Sequence, residues 1–78
     1  MITTDYFKLM LQRSDRAQIR EEWILHVIQR PVKQQVQQDG RIRCWAAIDE
    51  MDGRYLRVIL LEDGETVHNA FFDRRFMP

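Results

Sequence analysis

The second half of the chain interleaves arginines with aromatic residues, and these residue types can bind and cleave RNA. The residues concerned are Arg43, Trp45, Tyr55, Arg57, His68, Phe72 and Arg74. Aromatic rings stack on nucleobases and guanidinium groups hold phosphates. The candidates for this binding role, toward RNA or a protein partner, are Arg43, Trp45, Phe72 and Arg74. Metal-free cleavage needs a cation at the phosphate and groups that move protons, and the candidates for these catalytic roles are Arg57, His68 and Tyr55.

The same residues are also typical of a surface that packs against protein. Arginines and aromatic residues are enriched in protein interfaces, and arginine stems pack over aromatic rings. In this interpretation the surface lies under the N-terminal strand, or against a partner protein or a second copy of the chain. The chain is then a non-catalytic protein-binding module, and the sequence leaves both interpretations open.

Three further features could suggest a site, and each has a simpler structural explanation. His26 lies beside the apolar stripe of a predicted helix, and Cys44 is expected to face the core. Asp73, Arg74 and Arg75 stand together near the C-terminus, where neighbouring charges usually form solvated ion pairs. No histidines, cysteines or carboxylates have metal-ligand spacing, so we expect no metal and no cofactor.

Length and composition favour one small cytoplasmic domain. With 78 residues, the chain is expected to form a single α+β domain over residues 1–78. Its formal net charge of zero argues against strong non-specific binding to nucleic acid. No apolar run approaches the roughly 18 residues that cross a bilayer, and no secretory signal is visible, so no membrane association is expected. The single cysteine excludes an intrachain disulfide and favours a reducing compartment.

One helix and an antiparallel sheet are predicted to position the candidate residues. Residues 5–12 alternate apolar and polar side chains, which predicts a strand, and the polar residues 13–18 predict a loop. An apolar stripe from Trp23 to Ile28 predicts a helix over 20–30, which Pro31 ends. Three Asp-Gly pairs are hairpin signals and separate strands at about 32–38, 41–49, 54–62 and 65–73. The predicted fold class is α+β, with one main helix packed on a four- to five-stranded antiparallel sheet in the order β-α-β-β-β-β.

The last two Asp-Gly pairs also predict a register for the sheet. A three-residue loop at 51–53 makes Ile48 face Leu56, and a two-residue turn at 63–64 makes Leu60 face Val67. The predicted core face, which the helix covers, carries Ile42, Cys44, Ala46, Ile48, Leu56, Val58, Leu60, Val67 and Phe71. The opposite face carries Arg43, Trp45, Ala47, Tyr55, Arg57, Ile59, His68, Ala70, Phe72 and Arg74.

Four segments within residues 19–76 carry a resemblance to known proteins: EEWILHVIQRP, DGRIRCWAAIDE, GRYLRVILLEDGETV and NAFFDRRF. They resemble a family of small bacterial proteins grouped near the RelE/ParE-type toxins. The resemblance implies a RelE-like fold and, as the alternative to a binding module, a metal-independent endoribonuclease of a toxin–antitoxin system. Residues 10–16 lack the histidine that the related group carries before the helix, so the resemblance assigns no catalytic histidine there.

Overall fold

The described part of the chain forms two α-helices and a four-stranded antiparallel sheet, which confirms the predicted α+β class. The computed structural model describes residues 1–13 and 16–78. The elements are α1 (Asp5–Met10), α2 (Glu21–Gln29), β1 (Lys33–Val36), β2 (Ile42–Ile48), a 3-10 turn (Asp49–Met51), β3 (Arg54–Leu60) and β4 (Val67–Phe72). Residues 14 and 15, within the predicted loop 13–18, lie outside the described residues.

The four strands form a meander, as the Asp-Gly pairs predict. Their order in the sheet is β1-β2-β3-β4, and each strand is antiparallel to its neighbours. In the last hairpin, Asp63 accepts hydrogen bonds from the Thr66 hydroxyl and from the amides of Thr66 and Glu65. These bonds lower the pKa of Asp63 and fix the turn that brings β4 back beside β3.

The prediction of a strand over residues 5–12 is wrong, because this segment begins with helix α1. The Thr4 hydroxyl caps the helix by accepting a hydrogen bond from the Phe7 amide at 3.1 Å. Phe7, Met10 and Leu11 are spaced as one helix face, and they pack into or against the core. Leu9, which strand alternation would place beside Phe7, is 65% exposed. Helical spacing therefore places Met10 instead of Leu9 beside Phe7 and Leu11 on the face that packs toward the core.

The register between β2 and β3 differs by two residues from the prediction. Ile48 pairs with Arg54 rather than facing Leu56, and Leu56 pairs with Ala46. The predicted three-residue loop is longer, because residues 49–51 wind into the 3-10 turn and both Asp52 and Gly53 adopt left-handed backbone, with φ of 58° and 75°. A shift of two residues preserves the faces, so the predicted alternation of core and opposite side chains holds in these strands.

A β-bulge at the start of β4 changes the faces of that strand. Leu60 pairs with Val67 as predicted, but the register then shifts and Arg57 pairs with Phe71. The extra residue reverses the alternation, so Ala70 is fully buried in the core and Phe72 packs against it. The prediction of Phe71 in the core and of Ala70 and Phe72 on the opposite face is therefore wrong.

Among the described residues, a buried apolar cluster joins the helices to the strands. Trp23, Ile24 and Val27 of α2 lie in this cluster, within the helix predicted over 20–30. The cluster also contains Phe7, Ile19, Cys44, Ala46, Ile48, Leu56, Val58, Leu60, Val67 and Ala70. Burial raises the pKa of the Cys44 thiol, as expected for an unreactive core cysteine.

Candidate partner-binding surface

Arg57 lies in the middle of the second face, which we define as the sheet face that carries Trp45, Tyr55, Arg57 and Phe71. Strand pairing places Trp45 and Phe71 on either side of Arg57. The guanidinium carbon lies 5.5 Å from the Trp45 ring centroid and 5.2 Å from that of Phe71. These cation–π contacts hold the predicted catalytic cation between two rings.

Asp73 completes this arrangement from the end of β4. Its Oδ2 atom lies 3.6 Å from Nη1 of Arg57 and accepts a hydrogen bond of 3.0 Å from the Trp45 indole. Its backbone amide donates to the carbonyl of Tyr55 at 2.9 Å, which extends the sheet contact by one residue. Burial alone would raise the pKa of Asp73, but hydrogen bonds from Trp45 and the Arg75 amide, with the charge of Arg57, lower it.

Arg57 responds to the same surroundings in the opposite sense. Burial and then the neighbouring charge of Arg43 lower the pKa of Arg57, and the charge of Asp73 and its hydrogen bond partly oppose them. The Nε atom of Arg57 is buried without a hydrogen-bond partner among the described residues. Asp73 is therefore the carboxylate that stabilises this cation, whose side chain is only 20% exposed.

The C-terminal segment, residues 73–78, covers Trp45, which was one of the aromatic residues predicted to stack on RNA bases. Phe76 stacks on Trp45 with ring centroids 4.8 Å apart, and it contacts Tyr55 at 5.0 Å. Trp45 is consequently only 5% exposed. The structure thus brings Trp45, Tyr55 and Arg57 together, and Phe76 of the same chain packs on the two rings.

Phe72 and Arg74 lie in a different place, at the end of the sheet where β4 ends and β3 begins. They line a depression of about 270 Å³, which we call the arginine groove. The groove is lined by Arg16, Gln18, Arg54, Phe71, Phe72 and Arg74. An adjoining depression of about 290 Å³ shares Arg54, Phe72 and Arg74 and extends to Tyr55.

The groove places guanidinium groups on phenylalanine rings. The Arg54 guanidinium lies 4.7 Å from the Phe72 ring centroid, and that of Arg16 lies 5.2 Å from the Phe71 centroid. Arg16 also donates a 2.8 Å hydrogen bond to the side-chain carbonyl of Asn69. Within residues 1–13 and 16–78, no acid lies at ion-pair distance from Arg54 or Arg74. The groove thus concentrates positive charge over the rings of Phe71 and Phe72.

His68 and Arg43 lie outside the arginine groove. His68 contacts α1 through a 3.1 Å hydrogen bond between its Nδ1 and the Thr4 hydroxyl and through a stack on Tyr6. It lies three residues along β4 from Phe71, the partner of Arg57, a separation of roughly 10 Å along a strand. The Arg43 guanidinium lies against the side-chain amide of Gln37.

His68 is expected to titrate below the ordinary histidine pKa of 6.5, because burial and then the charge of Arg41 lower its pKa. Neutral His68 therefore stabilises the fold at pH values above 6.5, and this contribution is lost as the pH falls through the lower folded-state value. NMR titration of the imidazole measures the midpoint. Replacing Arg41 by glutamine should raise it, whereas replacing Arg30, which is exposed just after α2, should leave it unchanged. An unshifted midpoint in R41Q would exclude Arg41 as a cause.

Five contributors to this surface were not among the predicted site residues: Arg16, Arg54, Phe71, Asp73 and Phe76. Phe71 was assigned to the core because the bulge has no signal in residue alternation. Asp73 was interpreted as part of a solvated ion-pair cluster, although it is only 14% exposed. The aromatic ending of the chain, with Phe76 after two arginines, was the available signal for a covering segment.

Comparisons with protein-family models, curated proteins and solved structures found no match to this chain. Within the described residues, no helix has the length and apolar character needed to cross a bilayer. The same part of the chain contains no group of three or more histidines, cysteines or carboxylates that could hold a metal ion. The surface chemistry around the C-terminal segment is therefore the basis for assigning a function.

Proposed function

We propose that the protein is a non-catalytic protein-binding module whose arginine groove binds an acidic segment of a partner protein. The observation that carries the proposal is the composition of the groove: exposed Arg54 and Arg74 flank Phe72, and among residues 1–13 and 16–78 no acid lines the depression. Guanidinium groups form charge-assisted hydrogen bonds to carboxylates, and phenylalanine rings provide apolar contact area.

The position of the Arg54 guanidinium over the Phe72 ring supports binding of a carboxylate. A guanidinium in a cation–π contact has five N–H donors, and those not engaged elsewhere can bind a carboxylate. The ring also restricts the side chain before a partner arrives, which reduces the entropy lost on binding. Arg16 is held in a similar way over Phe71. The groove therefore presents ordered donors rather than freely moving cations.

The positions of Arg57 and His68, two of the three predicted catalytic residues, support a binding role over catalysis. Arg57 is engaged by Trp45, Phe71 and Asp73, while His68 contacts Thr4 and Tyr6 at the other end of β4. A general acid or base must lie within hydrogen-bond reach of the group it serves. Because His68 lies far from Arg57 along the strand, the two side chains are poorly placed to act on the same phosphate group.

A metal-independent endoribonuclease of the RelE/ParE type is the second candidate. It is supported by the order of α2 followed by an antiparallel meander, the arrangement that the sequence resemblance implies. The donors of Arg54 and Arg74 fit a phosphate as well as a carboxylate. The formal net charge of zero favours the protein partner, because nucleic-acid affinity depends strongly on excess positive charge.

Binding of fluorescein-labelled decaglutamate, followed by fluorescence anisotropy, tests the proposal. We expect saturable binding that weakens as salt rises, and about tenfold or greater weakening in Arg54→Ala/Arg74→Ala. Arg30→Ala/Arg41→Ala is the matched control, since it removes the same charge from exposed positions outside the groove. Equal weakening in both double variants would show a non-specific charge effect and would overturn the groove assignment.

A single-stranded RNA oligonucleotide in the same assay separates the two candidates. Preference for RNA over decaglutamate, with cleavage that Arg57→Ala/His68→Ala abolishes, would replace the binding module by the endoribonuclease. Absence of binding to either probe would overturn the assignment of an anion-binding groove.

A further inference from the structure

Strand β1 forms an open edge of the sheet. It pairs on one side with β2, and all four of its residues, Lys33–Val36, are exposed. An edge strand presents unpaired backbone N–H and C=O groups that can hydrogen-bond with another strand. Natural edges are commonly protected by short strand length, bulges, prolines or charges, and within β1 only the short length and Lys33 offer such protection. Val36 is 68% exposed at the end of the strand.

The pairing of β1 with β2 determines which backbone groups point outward. The Gln37 amide donates to the carbonyl of Arg41 at 2.7 Å, and Gln35 pairs with Arg43. Hydrogen-bonding direction alternates along an antiparallel strand. The backbone groups of Gln35 and Gln37 therefore point toward β2, and those of Gln34 and Val36 point away from the sheet.

These outward groups form a self-complementary pattern. When two β1 strands lie antiparallel about a two-fold axis at Gln35, Gln34 of each chain stands opposite Val36 of the other. This register pairs both outward N–H and both outward C=O groups on each strand. An axis at Gln34 would instead pair Val36 with Val32, whose amide already donates to the Trp45 carbonyl at 2.8 Å. The register centred on Gln35 is therefore favoured.

The side chains are compatible with the same register. Lys33 stands opposite Gln37 of the other chain, so its charge meets a neutral amide. Gln35 stands opposite its own copy across the axis, where the two amides can donate to and accept from each other. Val36 gains a neighbour in Gln34 on the opposite face of the strand pair. No like charges face one another, which removes the commonest electrostatic barrier to edge pairing.

We infer that a second copy of this chain pairs with β1 in this register and forms a two-fold dimer with a continuous eight-stranded sheet. The second copy is the occupant that satisfies both the outward backbone groups and the side-chain pairs of this register, as an isologous interface requires. The inference does not depend on the arginine groove, whose residues lie at the β3–β4 side of the sheet.

Light scattering after size exclusion tests the dimer across a concentration series. We expect the mass to approach twice the chain mass of 9.5 kDa as concentration rises. Gln35→Lys and Gln35→Glu should each be monomeric, because they place like charges opposite each other at the axis. An equimolar mixture of the two variants should recover the dimer. Recovery also shows that both variants fold, so loss of mass is not attributable to unfolding.

A cysteine pair tests the register itself. Residues facing each other in a non-hydrogen-bonded pair have Cα atoms roughly 4.5 Å apart, within the disulfide range. Gln35→Cys should therefore form an interchain disulfide under mild oxidation, and Gln34→Cys should form little, while Cys44 is buried in both. A mass of one chain throughout the series, or preferential cross-linking of Gln34→Cys, would overturn the inference. Normal decaglutamate binding by monomeric Gln35→Lys would keep the arginine groove as a separate result.

Discussion

Replacing Phe7 by alanine is expected to lower the free energy of unfolding by about 4 kcal/mol. Phe7 is fully buried and is the largest apolar side chain that α1 contributes to the core cluster. A six-residue helix is too short to be stable alone, so its tertiary contacts decide whether it forms. Chemical denaturation followed by circular dichroism measures the change.

Leu9→Ala is the control for Phe7→Ala, because Leu9 lies on the same helix and is 65% exposed. We expect Leu9→Ala to change stability by less than about 0.5 kcal/mol. Similar losses in both variants would indicate that residues 5–12 form a strand with Phe7 and Leu9 on one face. The two variants therefore distinguish the observed helix from the alternative that residue alternation predicts.

The first segment shows why local pattern alone could not determine the structure of residues 5–12. Phe7, Leu9 and Leu11 satisfy strand alternation, while Phe7, Met10 and Leu11 satisfy helix spacing. The decision comes from contacts distant in sequence: the Thr4 amide donates to the Val67 carbonyl, and Thr3 bridges to Val67. These contacts place Phe7 over the core, and nothing in residues 1–12 specifies them.

The second half of the chain was more predictable because its signals are local. Asp-Gly pairs demand left-handed backbone, and three of them defined the meander. Loop length was harder to predict, since the 3-10 turn before Asp52 changed the register by two residues. The bulge near Val67 had a larger effect, because a shift of one residue exchanged Phe71 with Phe72 between the faces.

The residue types of the candidate surface could be predicted from the sequence, whereas their arrangement could be predicted only in part. Trp45, Tyr55 and Arg57 share the second face as predicted, since alternation within β2 and β3 survives the register shift. The covering role of Phe76 could not be predicted, because a chain end has no periodicity that shows where it folds back. Phe76 stacks on Trp45, so the ring that was predicted to stack on RNA bases is instead buried against the chain itself.

Asp73→Ala is expected to lower the free energy of unfolding by about 3 kcal/mol. The substitution leaves the largely buried Arg57 without its carboxylate and the Trp45 indole without an acceptor. Breaking a buried ion pair costs roughly 3–5 kcal/mol, and partial exposure of both side chains places this case at the low end. Asp49→Ala, at an exposed position in the 3-10 turn, should change stability by less than about 0.5 kcal/mol.

Asp73→Asn removes the charge and keeps one oxygen for the Trp45 indole, while the amide NH2 replaces the oxygen that accepts from the Arg75 backbone amide. The amide can still accept from Trp45, so we expect a loss of about 1–2 kcal/mol near neutral pH. The contribution of Asp73 to the free energy of unfolding depends on pH, because the folded-state pKa of Asp73 lies below its ordinary value of 3.8. Its ionised form therefore stabilises the fold fully above that value, and the contribution disappears as the pH falls through the lower folded-state pKa. The gap between wild type and Asp73→Asn should narrow in this acidic range.

The two Asp73 variants also test whether the C-terminal segment is held by this carboxylate. Asp73 accepts a hydrogen bond from the Trp45 indole, and Phe76 stacks on the same indole. Loss of the hydrogen bond should therefore weaken the contact between Phe76 and Trp45. We expect the fluorescence of Trp45 to shift to longer wavelength in Asp73→Ala under conditions where the core remains folded. The fluorescence of Trp23, whose indole donates to Glu50, should not change. It can be measured separately in a Trp45→Phe background. An unchanged Trp45 spectrum with a stability loss of the expected size would mean that Phe76 holds the segment without help from Asp73.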